Sequence, residues 1–269
     1  MVISRLAIAY IIAVALSACH SPETRQKIEK MEMKGTDARE APRAQPAPSH
    51  SQAFSRVEKT PLLDFTYEWP LEAAAIPALA NRFTKDMEAA HKDALETAEE
   101  DQRARKGMNF DFHEHQFSRQ WVTAGQTASL LSLVSTTSAY TGGAHPNHGS
   151  GALLWDRKAD REIKLADLFT VPMATLFTDP WCKGIDKARL DRRQGERMDG
   201  PFDTCPPLSD LAIVPADTDH DGKFDRLRFL ADPYVAGPYA EGDYEVTFAI
   251  HPSWLAAMKP EWRSSFETT

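Results

Sequence analysis

Residues 64–69, DFTYEW, alternate polar side chains with aromatic ones. A period of two residues is the pattern of a half-buried β-strand. The segment 76–105 follows it and is rich in Ala, Glu, Lys and Leu. Within it four residues fall at i, i+4 spacing, which predicts one long amphipathic helix: Leu79, Phe83, Met87 and His91.

The remaining periodic segments are mostly strands, and they occur in runs rather than in alternation with helices. Strands are predicted at 109–116, 118–124, 129–140, 151–157, 161–165, 212–215, 225–231 and 244–250, with further helices at 180–197 and 252–258. This order predicts an α+β fold with a largely antiparallel sheet, one long N-terminal helix and a second helix.

Residues 1–18 have the features of a bacterial lipoprotein signal peptide. The apolar run 6–16, LAIAYIIAVAL, is too short to cross a hydrocarbon core of roughly 30 Å as a helix. It ends in LSAC (16–19), which resembles the lipobox, where the thiol is acylated and the chain is cut before it. We therefore predict lipidation at Cys19. The alternative is an ordinary secretory signal with an incidental cysteine.

Acylated Cys19 would anchor the protein to a lipid bilayer, each buried CH₂ contributing about 0.8 kcal/mol. The predicted location is the bacterial cell envelope, facing the periplasm or the exterior. His20 rather than Asp follows the cysteine, which favours the outer membrane in a Gram-negative cell. Residues 19–61 carry many charged residues and prolines and one aromatic, which predicts a disordered tether. The folded region is then 62–269.

Export to an oxidising compartment bears on the redox state of the two remaining cysteines. Cys182 and Cys205 form an even pair in an oxidising compartment, which predicts a disulfide rather than two free thiols.

The charge balance bears on the partner. The chain has 31 basic and 39 acidic residues, a formal net charge of −8. A general nucleic-acid binder would need a basic surface to displace counterions, so we expect no nucleic-acid partner. Removing residues 1–18 takes away Arg5 and no acid, so 30 basic and 39 acidic residues remain and the net charge is −9. Such a charge favours a basic extracellular partner.

Two motifs carry a family resemblance. The first is YTGGAHPN (140–147), where two glycines follow a strand, and the second is PYVAGPYAEG (233–242), with IKLADLF (163–169) between them. In this order they resemble the extracytoplasmic region shared by RsiV-type anti-sigma factors and the non-catalytic N-terminal part of PdaC-type peptidoglycan deacetylases. The resemblance covers about 62–252, with a PdaC-like half at 62–150 and an RsiV-like half at 151–252.

The resemblance implies a function as well as a fold. RsiV-type proteins bind lysozyme through this region, and PdaC-type enzymes keep their chemistry in a separate domain. We expect neither a sigma-binding segment before the signal peptide nor a deacetylase domain after residue 252. The expected function is a binding module for a lysozyme-like protein or peptidoglycan, without intrinsic catalysis. The alternative is a cell-wall hydrolase with chemistry near His145.

The two motifs also supply the candidate binding residues. Their aromatic side chains could stack on sugar rings, although such residues are more often packing groups. The candidates are Tyr140, Gly142, Gly143, His145, Asn147, Tyr234 and Tyr239.

An acidic loop is the candidate metal site. The sequence DTDHDGKFD (217–225) places carboxylates at positions 1, 3, 5 and 9 of an EF-hand-like loop, with glycine at position 6. Position 12 is Arg228 instead of the bidentate Glu, and the flanks are predicted strands. A structural Ca²⁺ and a solvated acidic turn both stay open. The candidate ligands are Asp217, Asp219, Asp221 and Asp225.

Two weaker patterns are better explained without chemistry. His113, His115, His145 and His148 could make a zinc site, but no HExxH motif supports it, and ordinary histidines are the favoured interpretation. Ser150 lies in HGSG rather than in a Gly-x-Ser-x-Gly nucleophile elbow.

Overall fold

A computed structural model describes residues 52–108, 111–198 and 200–268. The strands are β1 (Gln52–Lys59), β2 (Leu63–Pro70), β3 (His115–Gln126), β4 (Leu130–Tyr140), β5 (Asn147–Asp156), β6 (Arg161–Ile163), β7 (Ala212–Ala216), β8 (Arg226–Ala231) and β9 (Tyr244–Ala249). The helices are α1 (Leu71–Ala74), α2 (Pro77–Arg105), α3 (Met173–Arg192) and α4 (Pro252–Ala257). Within the described part of the chain, no helix is long and apolar enough to cross a membrane.

The strands form two sheets. A six-stranded sheet has the order β1-β2-β3-β4-β5-β6, and a three-stranded sheet has the order β7-β8-β9. Neighbouring strands are antiparallel except β2 and β3, which are parallel because α2 returns the chain to the same end of the sheet. The α+β class is confirmed, and the larger sheet is mixed.

Helix α2 packs on one face of the larger sheet. Its 29 residues lie where the i, i+4 pattern predicts a helix, and Leu79, Phe83 and Met87 are all buried. The Phe83 ring lies 5.7 Å from Trp69 and 5.1 Å from Trp121, centroid to centroid. Burying one such side chain contributes about 1.5–3 kcal/mol, more than a surface ion pair, so the apolar stripe sets the helix position.

Helix α3 packs with the smaller sheet. Phe177, Trp181 and Ile185 are fully buried in one cluster with Phe229 of β8. The predicted start at Pro180 is wrong, because α3 begins at Met173 and holds Pro180 in its interior. Proline removes one backbone hydrogen bond there, but the fully buried side chains on both sides of it keep the helix continuous.

The chain also departs from the predicted pattern near its N-terminus. The tether predicted to reach residue 61 is wrong for 52–59, which forms β1 and pairs with β2. Phe54 explains the difference, because its ring stacks on Trp69 with centroids 3.7 Å apart. The signal peptide, Cys19 and residues 20–51 lie outside the described residues.

Two further predicted boundaries are displaced. In the strand predicted at 109–116, residues 111–114 are irregular and β3 begins only at His115. The strand predicted from residue 151 begins at Asn147, so a division of the domain at 150/151 would cut β5 in two. Both differences have the same cause. The length of a strand depends on how far the adjacent strand pairs with it, and the local residue pattern does not specify this.

Candidate functional site

The predicted disulfide is present. Cys182 in α3 is bonded to Cys205, with a Cα–Cα distance of 5.2 Å. Next to it, the indole Nε1 of Trp181 donates a hydrogen bond to the main-chain oxygen of Pro206 at 2.9 Å. The disulfide and this hydrogen bond therefore both join α3 to the segment before β7.

Three candidate residues from the two motifs meet at the surface. The imidazole of His145 stacks on the ring of Tyr239, with centroids 3.6 Å apart and an interplanar angle of 19°. The Tyr234 ring lies 5.7 Å from that of Tyr239, and its hydroxyl oxygen is 3.4 Å from His145 Nε2. Tyr234 is 56% exposed. We call His145, Tyr234 and Tyr239 the aromatic platform.

The platform is fixed to the end of β5. The Tyr239 hydroxyl donates to the main-chain oxygen of Pro146 at 2.8 Å. His145 Nδ1 lies 3.1 Å from the same oxygen. Asn147, the next residue, is exposed and begins β5. The motif at 233–242 is thus hydrogen-bonded to the motif at 140–147 through the Pro146 carbonyl.

The second motif is held by a compact turn. Tyr234 has φ of 71°, and its N–H donates to the Gly237 carbonyl at 2.9 Å. A Cβ added at Gly237 would lie 2.8 Å from the Tyr244 ring, so glycine is required there for close packing.

Arg189 in α3 and Arg193 just after it hold this turn, and no motif in the sequence predicts their role. Arg189 is 3% exposed, and its Nε donates to the Ala236 carbonyl at 2.8 Å. Arg193, one residue past α3, donates to both carboxylate oxygens of Glu241, at 2.8 and 3.0 Å. The signal available in the sequence is the i, i+4 spacing of the two arginines, which places them on one side of the chain.

The Glu241 carboxylate is the charged centre of this support. Its hydrogen bonds from Arg193 hold the pKa of Glu241 below its ordinary value, against the opposing effect of burial. The Tyr244 hydroxyl also donates to Glu241. Burial, and then this hydrogen bond, raise the pKa of Tyr244. Glu241 is therefore a charged structural group.

An open groove lies beside the platform. It has a volume of about 470 Å³, and its lining includes Arg119, Trp121 and His148. The His148 ring is 6.3 Å from that of Tyr239, which connects groove and platform. Gly149 and Gly151 also line the groove, and a Cβ added at Gly151 would lie 2.5 Å from the Ser135 hydroxyl oxygen, so Ser135 packs directly against that glycine.

Tyr140 lies elsewhere. It lines a neighbouring cavity of about 420 Å³ between α2 and the sheet, together with Asp86 and His115, and Arg119 lines both this cavity and the groove. Gly142 and Gly143 belong to the turn that connects this region to the platform, and Gly142 has φ of 85°. The structure thus divides the candidates between two places.

His113, His115 and Ser150 lie outside the aromatic platform. His115 is buried with its Nε2 3.3 Å from Asp101 Oδ2, whereas His113 is exposed on an irregular segment. Across residues 52–108, 111–198 and 200–268, no histidine joins a cluster that could hold a metal ion. Ser150 lies within β5, and its N–H donates to Asp232 at 3.0 Å.

The acidic loop keeps most of its predicted ligands together. Oxygens of Asp217, Asp219 and Asp225 all lie within 4.8 Å of one another. Asp221 falls in a second group, with Asp219 and Glu267. The four candidates therefore do not form a single set.

Residues 56–148 match the family model of the deacetylase PdaC. This confirms the PdaC-type resemblance over those residues, which run from β1 to the start of β5. PdaC-type domains are extracytoplasmic, so the match indicates a module associated with the cell envelope.

One solved structure extends the likeness in fold beyond the PdaC-type segment. A DUF3298 family protein from Pseudomonas aeruginosa PAO1 is similar with a TM-score of 0.51 and 17% identity, over 80% of this chain and 95% of that one. A DUF3298 family member from Bacteroides fragilis NCTC 9343 has a TM-score of 0.45 and 16% identity, over 81% and 98%. The first likeness concerns the fold alone. No curated protein matches the sequence.

The PdaC-type segment contains only part of the site. It includes His145 and the lining residues Arg119 and Trp121, whereas Tyr234 and Tyr239 lie outside it. The platform is therefore assembled across the end of the matched segment.

Proposed function

We propose that this protein is a lipid-anchored cell-envelope module that binds peptidoglycan glycan on its aromatic platform, without catalysis. The observation that supports this proposal is the stacked His145–Tyr239 pair beside the exposed Tyr234. Sugar rings present apolar C–H faces that pack on flat aromatic surfaces. The platform offers such a surface, already locked in place before any ligand arrives.

The groove beside the platform suits the polar edge of a sugar chain. His148, Asn147 and Thr137 bring hydrogen-bonding groups to it. Arg119 adds a cation, which already donates to Asp86 at 2.8 Å and to Thr137 at 2.9 Å. A few polar groups around an apolar contact surface are typical of small-molecule and glycan sites.

The same groove gives less support to the alternative, a cell-wall hydrolase with chemistry near His145. A glycosidase needs two carboxyl groups roughly 5–9.5 Å apart across the scissile bond. The described residues that line the groove include no Asp or Glu. The ring nitrogens of His145 face the Pro146 carbonyl and the Tyr234 hydroxyl, and neither contact is with a Ser, Thr or Cys side chain.

The platform can be tested by removing one ring. Replacing Tyr239 by Ala is expected to weaken binding of soluble peptidoglycan fragments by about two- to tenfold, because an aromatic contact contributes roughly 0.5–1.5 kcal/mol. Tyr234→Ala, at an exposed position, should act in the same direction with little effect on folding. Isothermal titration calorimetry with the purified protein measures both.

Tyr140→Ala is the matched control, since Tyr140 is also a motif tyrosine but lines the other cavity. It should leave the affinity unchanged. Equal losses in all three variants, or no binding by the unmodified protein, would contradict the glycan proposal. Fragment cleavage that is lost in His145→Ala would instead establish the hydrolase.

A lysozyme-like protein is the second candidate ligand. The observation that favours it is the excess of acidic residues, 39 against 31 basic, which would attract a basic protein. Binding measured in the same calorimeter at low and at high salt separates the two ligands, because attraction between net charges weakens with ionic strength.

Lipid anchoring is proposed from residues 16–19. Cys19→Ser is expected to abolish incorporation of labelled fatty acid and to move the protein from the membrane fraction to the soluble fraction, since the thiol is the site of acylation. Cells expressing each form, fractionated and blotted, give the measurement. The double variant Cys182→Ser/Cys205→Ser is the cysteine control. Unchanged labelling in Cys19→Ser would rule the anchor out.

A further inference from the structure

The loop between β7 and β8 brings carboxylate oxygens to one point. Oxygens of Asp217, Asp219 and Asp225 lie within 4.8 Å of one another. Two ligands that are each about 2.4 Å from a calcium ion are at most about 4.8 Å apart. The three side chains therefore meet the upper limit on oxygen separation that a single Ca²⁺ sets.

Asp217 adds an observation independent of this clustering. It is 9% exposed, and its Oδ2 accepts a hydrogen bond from the Gly222 N–H at 3.0 Å. Its Oδ1 is buried and has no hydrogen-bond partner among the described residues. A buried carboxylate oxygen without a partner is costly, and a bound cation would remove that cost.

The Asp225 carboxylate is held in place by its neighbours. Thr218 donates to it from its N–H and its hydroxyl, each at 2.7 Å, and Arg226 forms an ion pair at 2.8 Å. Each carboxylate oxygen has two lone pairs, so these bonds leave room for a metal ligand. The adjacent guanidinium lowers the affinity that the acidic groups alone would give.

The surroundings differ from those of an EF-hand. Strands flank the loop on both sides, and Arg228 at the twelfth position pairs with Glu245 of β9 at 2.7 Å. A helix pair that opens on binding is therefore absent from this part of the described structure. An ion here would stabilise a hairpin turn.

The C-terminal segment runs directly beside the loop. The Phe224 N–H donates to the Ser265 carbonyl at 2.9 Å, and the Glu267 N–H donates to the Phe224 carbonyl at 3.1 Å. Glu267 also forms a second group of close oxygens with Asp219 and Asp221. Asp219 belongs to both groups, so its carboxylate lies close to the loop ligands and to Glu267.

We propose that Asp217, Asp219 and Asp225 bind a calcium ion that stabilises the β7–β8 loop and, through Asp219, the C-terminal segment at Glu267. Three carboxylates fill part of the six to eight positions that calcium takes, and water or main-chain oxygens supply the rest. An incomplete set of this kind corresponds to a Kd of about 0.1–1 mM, the range of extracellular calcium modules.

The test uses the purified protein after chelation. With Ca²⁺ about tenfold above its Kd, the thermal midpoint should rise by about 3–6 °C, and calorimetric titration should show one site. Asp219→Asn, at an exposed position, should lose both effects while folding normally. Asp210→Asn removes one exposed carboxylate away from the loop and should keep both effects.

Three results would overturn the proposal. The first is no heat and no midpoint shift at about 10 mM Ca²⁺, roughly tenfold above the weakest expected Kd. The second is the same response in Asp219→Asn and Asp210→Asn. The third is an equal shift with Mg²⁺, which would exclude a calcium-selective site. For the C-terminal segment, calcium should slow hydrogen exchange at the Glu267 amide, and unchanged exchange would overturn that coupling.

Discussion

Removing the disulfide by Cys182→Ala/Cys205→Ala is expected to lower the thermal midpoint by about 6–12 °C. The bond joins residues separated by 23 positions. Closing a loop of that size restricts the unfolded chain and contributes about 3 kcal/mol in the chain-entropy model. In a domain of this size each kcal/mol corresponds to a midpoint shift of about 2–4 °C. Scanning calorimetry of both forms measures the shift.

Reduction of the unmodified protein provides the control. A reducing agent should reproduce the loss in the unmodified protein and have no effect on the double variant. A double variant that melts within about 1 °C of the unmodified protein would show that the folded state gains little from the bond.

Replacing Arg189 by Met is expected to lower the free energy of unfolding by about 2–3 kcal/mol, because hydrogen bonds from charged groups contribute about 1.5–3 kcal/mol each. Methionine keeps most of the aliphatic volume but leaves the Ala236 carbonyl without its donor. Ala236 is fully buried, so water cannot readily replace that donor. Urea unfolding measures the change.

The same variant should also weaken glycan binding, since Arg189 fixes the turn that carries Tyr234. Lys187→Met is the matched control, because Lys187 lies on the same helix with its side chain 76% exposed. That change should stay within about 0.5 kcal/mol. An Arg189→Met protein as stable as the control would show that the guanidinium is dispensable. Normal stability together with lost binding would show that Arg189 acts on the ligand and does not stabilise the turn.

Sequence patterns predict the aromatic platform but not the arginine that supports it. The platform residues were identified because aromatic and glycine residues stand together in short motifs. Tyr140 was grouped with them because it belongs to the same motif as His145, yet the turn at Gly142 separates the two. Arg189 was missed because an arginine on a helix is usually a solvated side chain, and only packing shows that it is buried.

Local patterns in the sequence were sufficient for the features that depend on near neighbours. The strand at 63–70, the helix at 77–105 and the spacing of the acidic loop follow from side chains a few residues apart. The cysteine pairing followed from the count and the compartment. Each of these is set by local periodicity or by a small number of possible partners.

Tertiary structure alone decided the features that join distant segments. It placed β3 parallel to β2, paired β1 with β2, and stacked Tyr239 on His145. It also brought the aspartates of 217–225 together as two overlapping groups of carboxylate oxygens, one of which includes Glu267. The physical reason is that these contacts come from packing of apolar faces across the whole chain, and no local pattern of residues specifies which faces meet.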